Sequence, residues 1–441
     1  MTVRDSLGLS LSGADDNSAG HYEKALHQLQ CYMGDPVASV DAAIEASPGF
    51  VMAHVLKGYL FGLSTDHEAT PVVKACHAAA LALPATMRER AHVAALGHLA
   101  DGRWHEAGRV LEDLTIEEPR DALGLLAGHQ IDFFTGNSRM LRDRIARAMP
   151  AWSEGMAGYH STLGMHAFGL EEMGDYAQAE RLGKRAVELE PRDGWGQHAV
   201  AHVLEMQCRQ RDGIAWMRHN TDDWAGDSFL QVHNWWHLAL FHYDLGETDQ
   251  ALALFDAPIY GTPSTLALNM LDASALLWRL HLRGVDVGDR WQALAANWAN
   301  KATDGNYAFN DMHAMMAFVG AVLNEPARLL LEAQEQAMAG DGDNVGFTRD
   351  VGSPVTRAIK AFGDGDYART VELLRPIRGI AQRFGGSHAQ RDVIDLTLIE
   401  AAFRAGDAHL AMALSAERAA ARPDSPLSQL FMRRAEALRA A

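Results

Sequence analysis

The chain has 441 residues, 48% of them hydrophobic, so it can bury a large core as two or three ordinary domains or as one repeat array. Its 57 acidic residues outnumber its 39 basic ones, and the net charge of −18 leads us to exclude nucleic acid as a partner. Three widely spaced cysteines form no CxxC motif, and no apolar run is long enough to cross a membrane. We therefore expect a cytoplasmic protein that has no membrane partner.

In chain order, residues 1–20 are predicted to be a flexible N-terminal segment, and residues 21–441 a single continuous helical repeat domain. One phrase recurs along this domain, a turn with Gly or Asp followed by a helix with small residues at fixed offsets. Its clearest copies are GDYAQAERLGKRAVELEP from Gly174 and GDGDYARTVELLRP from Gly363. Weaker copies begin at Gly34, Gly102, Gly246 and Gly406.

The spacing of these turns identifies the repeat. Turn glycines at 102, 136, 174 and 246 lie 34, 38 and 72 residues apart, close to one or two tetratricopeptide units of about 34 residues. Each phrase is predicted to be the second helix of a helical hairpin, and strand patterns are nearly absent. The sequence therefore predicts an all-α, tetratricopeptide-like α-solenoid of irregular helical hairpins, curled around a central concave pocket.

Histidines concentrate on two predicted first helices. GQHAVAHVLE places His198, His202 and Glu205 on one helical stripe, and HNWWHLALFH adds His233 and His237 at the same i, i+4 spacing. First helices of tetratricopeptide arrays tend to line the concave surface, and neighbouring helices pack about 8–10 Å apart. We expect side chains from several of these helices to converge on one site.

Three interpretations of the histidines stay open. They could bind a metal, although Ala199 stands where a HExxH motif would have its glutamate. They could form a metal-free pocket in which imidazoles and carboxylates act as acid and base, because the ordinary pKa of histidine lies near neutrality. They could also be structural, buried and bonded to carboxylates within the packing of the solenoid.

Several phrases together resemble the tetratricopeptide repeat protein 38 family: LGMHAFGLEEMGDY, HAVAHVLEMQ, HNWWHLALF, NDMHAMMAFVGA and GGSHAQRDV. The resemblance extends from about Tyr22 to about Phe403. It implies a cytosolic all-α repeat fold and assigns no reaction. It also suggests that the family's characteristic phrases contain His166, His198, His202, His233, His237, Asp311, His313, His388, Arg391 and Asp392.

We expect the pocket to bind a polar small molecule and to act on it by acid–base or hydrolytic chemistry, which would make the protein an enzyme. His202 and His237 are the candidates for proton transfer, and Glu205 and Asp311 would orient their imidazoles. Trp224 and Trp236 would form an apolar wall, and Arg391 would bind an anionic group. The predicted substrate-binding residues are His166, His198, Trp224, His233, Trp236, His313, His388, Arg391 and Asp392.

Two further expectations complete the prediction. The sequence assigns no cofactor, but a divalent transition metal is possible, with His198, His202, His233 and His237 as its ligands. The alternative function is a non-catalytic scaffold that binds peptides or proteins, as tetratricopeptide arrays commonly do. A homo-oligomer is possible in either case.

Overall fold

The computed structural model describes residues 3–440. Over these residues the chain is helical without β-strands, and two isolated bridges, Arg4 with Ser10 and Met33 with Ser228, are its only β pairing. The all-α prediction is therefore confirmed. None of the described helices combines the length and apolar character that crossing a membrane requires.

The chain divides into two compact units. The first contains the residues up to Val200 together with Asn220–Gln231, and the second contains Ala201–His219 and the chain from Val232 onward. The prediction of a flexible segment over 1–20 and one continuous domain over 21–441 stays a prediction.

Ten helices in the described part of the first unit pack against one another in sequence order. They are α1 (Asp16–Cys31), α2 (Pro36–Ala46), α3 (Val51–Gly62), α4 (Thr70–Leu81), α5 (Met87–Ala100), α6 (Trp104–Glu117), α7 (Ala122–Phe134), α8 (Ser138–Ala148), α9 (Tyr159–Glu172) and α10 (Tyr176–Leu189). Short 3₁₀ turns cover His67–Ala69 and Met149–Ala151. At the division of the chain lie α11 (Gly194–Met206), α12 (Gln210–Arg218), α13 (Thr221–Ala225) and α14 (Gln231–Leu245).

The second unit continues the series of packed helices. They are α15 (Thr248–Leu254), α16 (Ala267–Leu282), α17 (Arg290–Ala299), α18 (Ala308–Gly320), α19 (Asn324–Met338), α20 (Asn344–Phe347), α21 (Ser353–Gly363), α22 (Tyr367–Leu374), α23 (His388–Arg404), α24 (Ala408–Ala421) and α25 (Pro426–Ala440). A 3₁₀ helix covers Arg375–Phe384, and π turns cover Phe255–Ile259 and Thr348–Gly352.

The recurring phrase forms the second helix of each hairpin, as predicted. In the clearest copy, Gly174 takes a left-handed φ of 83°, and Asp175 then caps α10 by accepting from the amide of Gln178. The turn glycine permits a conformation that an L side chain disfavours, and the aspartate binds an amide that the first helical turn leaves unpaired. The same N-cap aspartate begins other second helices at Asp35, Asp366 and Asp407.

A recurring hydrogen bond between histidine and aspartate joins one repeat to the next. A histidine on a first helix is bonded by an aspartate about one repeat later in the sequence. The pairs are His92 with Asp121 at 2.9 Å, His160 with Asp193 at 2.8 Å and His233 with Asp272 at 3.0 Å. In the first two pairs the same aspartate also caps its own helix, by accepting from the amides of Gly124 and Gly196. Buried polar groups are thereby satisfied between neighbouring repeats.

Turn-forming residues in DAPIYGTP (256–263) and AGDGDNVGFTRDVGSP (339–354) predict two loops, and this prediction is wrong in part. The first overlaps the π turn Phe255–Ile259, and the second contains α20, a π turn and the start of α21. In the second region Phe347 and Val351 are buried. Packing of these apolar side chains stabilises helical turns in a segment whose Gly and Asp content disfavours them.

Close packing of α9 on α8 depends on a helical glycine. A Cβ built on Gly169 would lie 2.4 Å from the carbonyl oxygen of Leu141, which belongs to rigid backbone. We expect Gly169→Ala to lower the free energy of unfolding by about 1–3 kcal/mol, because the two helices must move apart. The matched control is Gly20→Ala, since nothing lies within 4 Å of that position in α1. Alanine there should be neutral or stabilising by up to about 1 kcal/mol in urea denaturation, and equal effects at both glycines would contradict the argument.

Candidate metal centre

Three histidines of the second unit converge. His202 lies on α11, and His233 and His237 lie one turn apart on α14. Their potential ligand nitrogens all lie within 4.8 Å of one another. The ring of His237 is 4.4 Å from that of His202 and 4.9 Å from that of His233, measured between centroids. His202 and His237 are fully buried, so these imidazoles meet away from bulk water.

Carboxylates from two helices contact this cluster. Both oxygens of Asp272, on α16, lie 3.0 Å from Nδ1 of His233. A neutral imidazole that donates through Nδ1 carries its lone pair on Nε2, so Asp272 selects the tautomer of His233. Oε2 of Glu205 lies 3.4 Å from Nδ1 of His237, and Arg422 approaches the other oxygen of Glu205 to 3.6 Å. Asp272 is an acid within a mostly apolar helix, and His233 is the partner that its burial requires.

Burial keeps the central imidazoles neutral. The pKa of His202 lies well below its ordinary value because of burial and the neighbouring His237, although Glu205 acts in the opposite direction. The pKa of His237 is also far below the ordinary value, because of burial, His233 and Arg279. Neutral imidazole is the form of histidine that binds metal ions.

A small cavity of about 20 Å³ adjoins the cluster at Glu205. Three guanidinium groups line it, from Arg279, Arg418 and Arg422, and Asp392 lies among them. Arg418 donates to both oxygens of Asp392, at 2.6 and 3.0 Å. Burial opposes ionisation of Asp392, but Arg418 and Arg422 hold the pKa of its carboxyl well below the usual range. None of these three arginines was predicted from the sequence.

Two predicted site residues on α18 have local partners. Asp311 is buried and accepts a hydrogen bond from Gln334 at 3.1 Å, so its partner is an amide rather than the predicted imidazole. Burial raises the pKa of Asp311 to about 7. His313 donates from Nδ1 to the carbonyl of Phe309 at 2.8 Å, and burial lowers its pKa to about 3.

The predicted residues at the start of α23 also have structural partners. Ser387 caps the helix by accepting from the amide of Gln390. Arg391 donates to the carbonyl of Gly386, and Asp392 binds Arg418 as described. His388 lies close enough to His202 for its charge to lower the pKa of that histidine.

Three predicted residues belong to the first unit. Trp224 is buried there, and His166 is also buried, with its pKa lowered by burial and by Arg142. The ring of His198 packs on Trp195, with centroids 4.6 Å apart. Trp236, the other predicted wall residue, lies in the second unit and stacks on His233 at 5.3 Å. That His198 is also a metal ligand stays a prediction.

The paired helices, capped turns and joined repeats define a tetratricopeptide-like all-α protein. No family model matches the chain. Two solved structures align with it over nearly its whole length. One is a human IFIT1 dimer with m7Gppp-AAAA, 15% identical, which covers 97% of this chain and 96% of its own with a TM-score of 0.41. The other is a monomeric IFIT1 mutant with Gppp-AAAA, also 15% identical, with 96% of each chain covered and a TM-score of 0.40.

These comparisons correct two predictions. The matched structures hold capped oligonucleotides, which contradicts both the acid–base or hydrolytic chemistry on a polar small molecule and the exclusion of nucleic acid. The exclusion failed for a physical reason. A net charge of −18 is a sum over the whole chain, whereas association depends on the local field of one surface.

Proposed function

We propose that the second unit binds a divalent transition metal ion through His202, His233 and His237. The observation that carries this proposal is the placement of three imidazole nitrogens within 4.8 Å of one another. Zinc–nitrogen bonds are about 2.0–2.1 Å long, so two ligand nitrogens of one ion lie at most about 4.2 Å apart. Small side-chain rotations would therefore close the cluster around an ion.

The surroundings of the cluster also support a metal. Asp272 holds His233 by Nδ1 and points its Nε2 lone pair away from the carboxylate, the usual arrangement behind a metal-bound histidine. Glu205 can provide a fourth ligand, because its carboxylate already lies beside His237. Nitrogen ligands of this kind suit zinc, copper, iron or nickel better than magnesium or calcium.

The charge balance near the cluster allows a cation to bind. Arg279 and Arg422 bring positive charge, which would oppose a metal ion. Glu205 and Asp272 contact the histidines directly, and Asp392 offsets the guanidinium groups that line the cavity. A divalent ion bound by the imidazoles would thus have two carboxylates close to its ligands.

We also infer that the chain is a cytoplasmic member of the tetratricopeptide repeat protein 38 family. The support is the set of five phrases quoted above, which extends well beyond a general repeat consensus. Two of them, HAVAHVLEMQ and HNWWHLALF, contain the three proposed ligands.

Zinc titration of metal-free full-length protein tests the proposed site. We expect each of His202→Gln, His233→Gln and His237→Gln to weaken zinc binding strongly, because each variant removes one of the three imidazole ligands. Asp272→Asn should weaken binding about 10- to 100-fold, since it removes the carboxylate behind His233. The matched control is His409→Gln, which changes an exposed histidine of the same unit. Unchanged zinc affinity in the three ligand variants would contradict the proposal.

A further inference from the structure

A second cluster of side chains that can bind a metal lies in the first unit. It is separate from the metal site proposed above. His27 and Cys31 lie one turn apart on α1, and His160 lies in the first turn of α9. One ligand atom from each lies within 4.8 Å of the other two. The sulfur of Cys31 is 3.9 Å from Nδ1 of His27 and 4.0 Å from its Nε2.

The hydrogen bond of His160 to a carboxylate is typical of a histidine that binds a metal. Its Nδ1 lies 2.8 Å from a carboxylate oxygen of Asp193, which fixes the ring and leaves the lone pair on Nε2. That Nε2 atom is buried and has no hydrogen-bond partner among the residues that the structure describes. His160 is 91% buried, so water does not readily satisfy this nitrogen. His160 therefore brings a buried nitrogen without a hydrogen-bond partner to a group that also contains a thiol and a second imidazole.

Glu190 is a candidate fourth ligand. Oε2 of Glu190, at the C-terminal cap of α10, lies 4.0 Å from Nε2 of His27. One thiolate, two imidazoles and one carboxylate are all ligand types that zinc accepts in tetrahedral sites. The side chain of His27 is half exposed, at 48%, and so leaves a path by which an ion can enter.

We propose that Cys31, His27 and His160 form a second metal site, which takes a zinc-class divalent ion and fastens α1 to α9. On binding, the thiol of Cys31 loses its proton to solvent and the sulfur forms a bond to the metal. Burial raises the pKa of the Cys31 thiol above its ordinary value, with Asp193 and Glu190 acting in the same direction. The metal must therefore displace that proton, so binding strengthens as the pH rises.

Cobalt(II) titration of metal-free full-length protein distinguishes this site from the all-histidine cluster. A thiolate bound to cobalt gives a near-ultraviolet charge-transfer band, which imidazole ligands alone do not give. We expect the band in the parent chain and in His202→Gln, and its loss in Cys31→Ser. Cys76→Ser is the matched control, because Cys76 is buried on α4 and belongs to neither cluster.

Two further variants test whether the loss of cobalt binding results from misfolding. His27→Gln changes a half-exposed side chain and should weaken cobalt binding while leaving the circular dichroism spectrum unchanged. Asp193→Asn retains an acceptor for the amide of Gly196 and should weaken binding about 10- to 100-fold by releasing the ring of His160. The absence of a thiolate band in the parent chain, or a band that survives Cys31→Ser, would overturn this proposal without affecting the cluster in the second unit.

Discussion

Replacing Asp121 with alanine is expected to lower the free energy of unfolding by about 3–5 kcal/mol, because it leaves buried cationic and polar groups without their partner. Oδ2 of Asp121 accepts from Arg88 and from His92, each at 2.9 Å, and Oδ1 accepts from the amide of Gly124 at 2.9 Å. The carboxylate and the guanidinium are both buried. Burial opposes ionisation of Asp121, but His92 and Arg88 hold its pKa well below the usual range.

Asp35→Ala is the matched control for this variant. Asp35 also caps a helix, through the amide of Ala38 at 2.8 Å, but that hydrogen bond is exposed. Loss of a helix cap alone costs about 1 kcal/mol. Urea denaturation followed by circular dichroism should therefore separate the two variants by about 2 kcal/mol or more. Equal destabilisation would show that the buried pairing between repeats adds nothing to the cap.

Mild acid is expected to destabilise the metal-free protein, because several buried histidines are neutral in the folded state. Burial lowers the pKa of His129 and of His313 to about 3, and it holds those of His202 and His237 well below their ordinary value. Unfolded histidine titrates near pH 6.5, so below that pH the unfolded chain binds more protons than the folded one. This stability is therefore fully present above pH 6.5 and is lost as the pH falls.

The expected loss of unfolding free energy is large. Each such histidine contributes a loss of about 1.4 kcal/mol per pH unit, or about 2 kcal/mol at pH 5. His129 and His313 together contribute about 4 kcal/mol, against a whole stability of about 5–15 kcal/mol for an ordinary domain. His202 and His237 act in the same direction, and the raised pKa of Asp311 acts in the opposite one. Urea midpoints between pH 7.5 and pH 5 measure this loss directly.

His129→Leu tests the cause of the acid sensitivity. His129 packs edge-on against Phe168 and Trp195, an apolar site that leucine can fill. The variant should reduce the pH dependence by about 1.4 kcal/mol per pH unit, whereas His409→Gln at an exposed position should leave it unchanged. An identical pH dependence in His129→Leu and the parent would show that His129 is not among the groups that titrate on unfolding.

The fold could be predicted because its signals are local. Gly174 and Asp175 specify a turn and a helix cap within two residues, and similar pairs recur at intervals close to one repeat. The prediction failed at 348–352, where burial of Val351 rather than local composition stabilises the turn. Tertiary packing of this kind leaves no periodic pattern in the sequence.

The histidines of the site could be predicted because their i, i+4 spacing recurs on two neighbouring first helices. The i, i+4 spacing identifies His233 and His237, but Asp272 reaches them from 39 positions away. The arginines of the cavity were missed because Arg418 and Arg422 stand in a weak copy of the repeat phrase and carry no motif.

The cluster in the first unit was missed for a related reason. Cys31 and His160 come together only through the packing of helices distant in sequence. A search for i, i+4 pairs of histidine and cysteine would have found His27 with Cys31, but it would not have found their third partner.

Anomalous diffraction from crystals of the full-length chain grown with zinc tests the central claim most directly. Data collected on both sides of the zinc absorption edge locate the ion without reference to any assay. We predict a peak about 2.0–2.1 Å from a ring nitrogen of each of His202, His233 and His237, with Nε2 as the ligand atom of His233. The claim would be contradicted if crystals at saturating zinc showed no anomalous peak among these imidazoles and each imidazole kept its present partner.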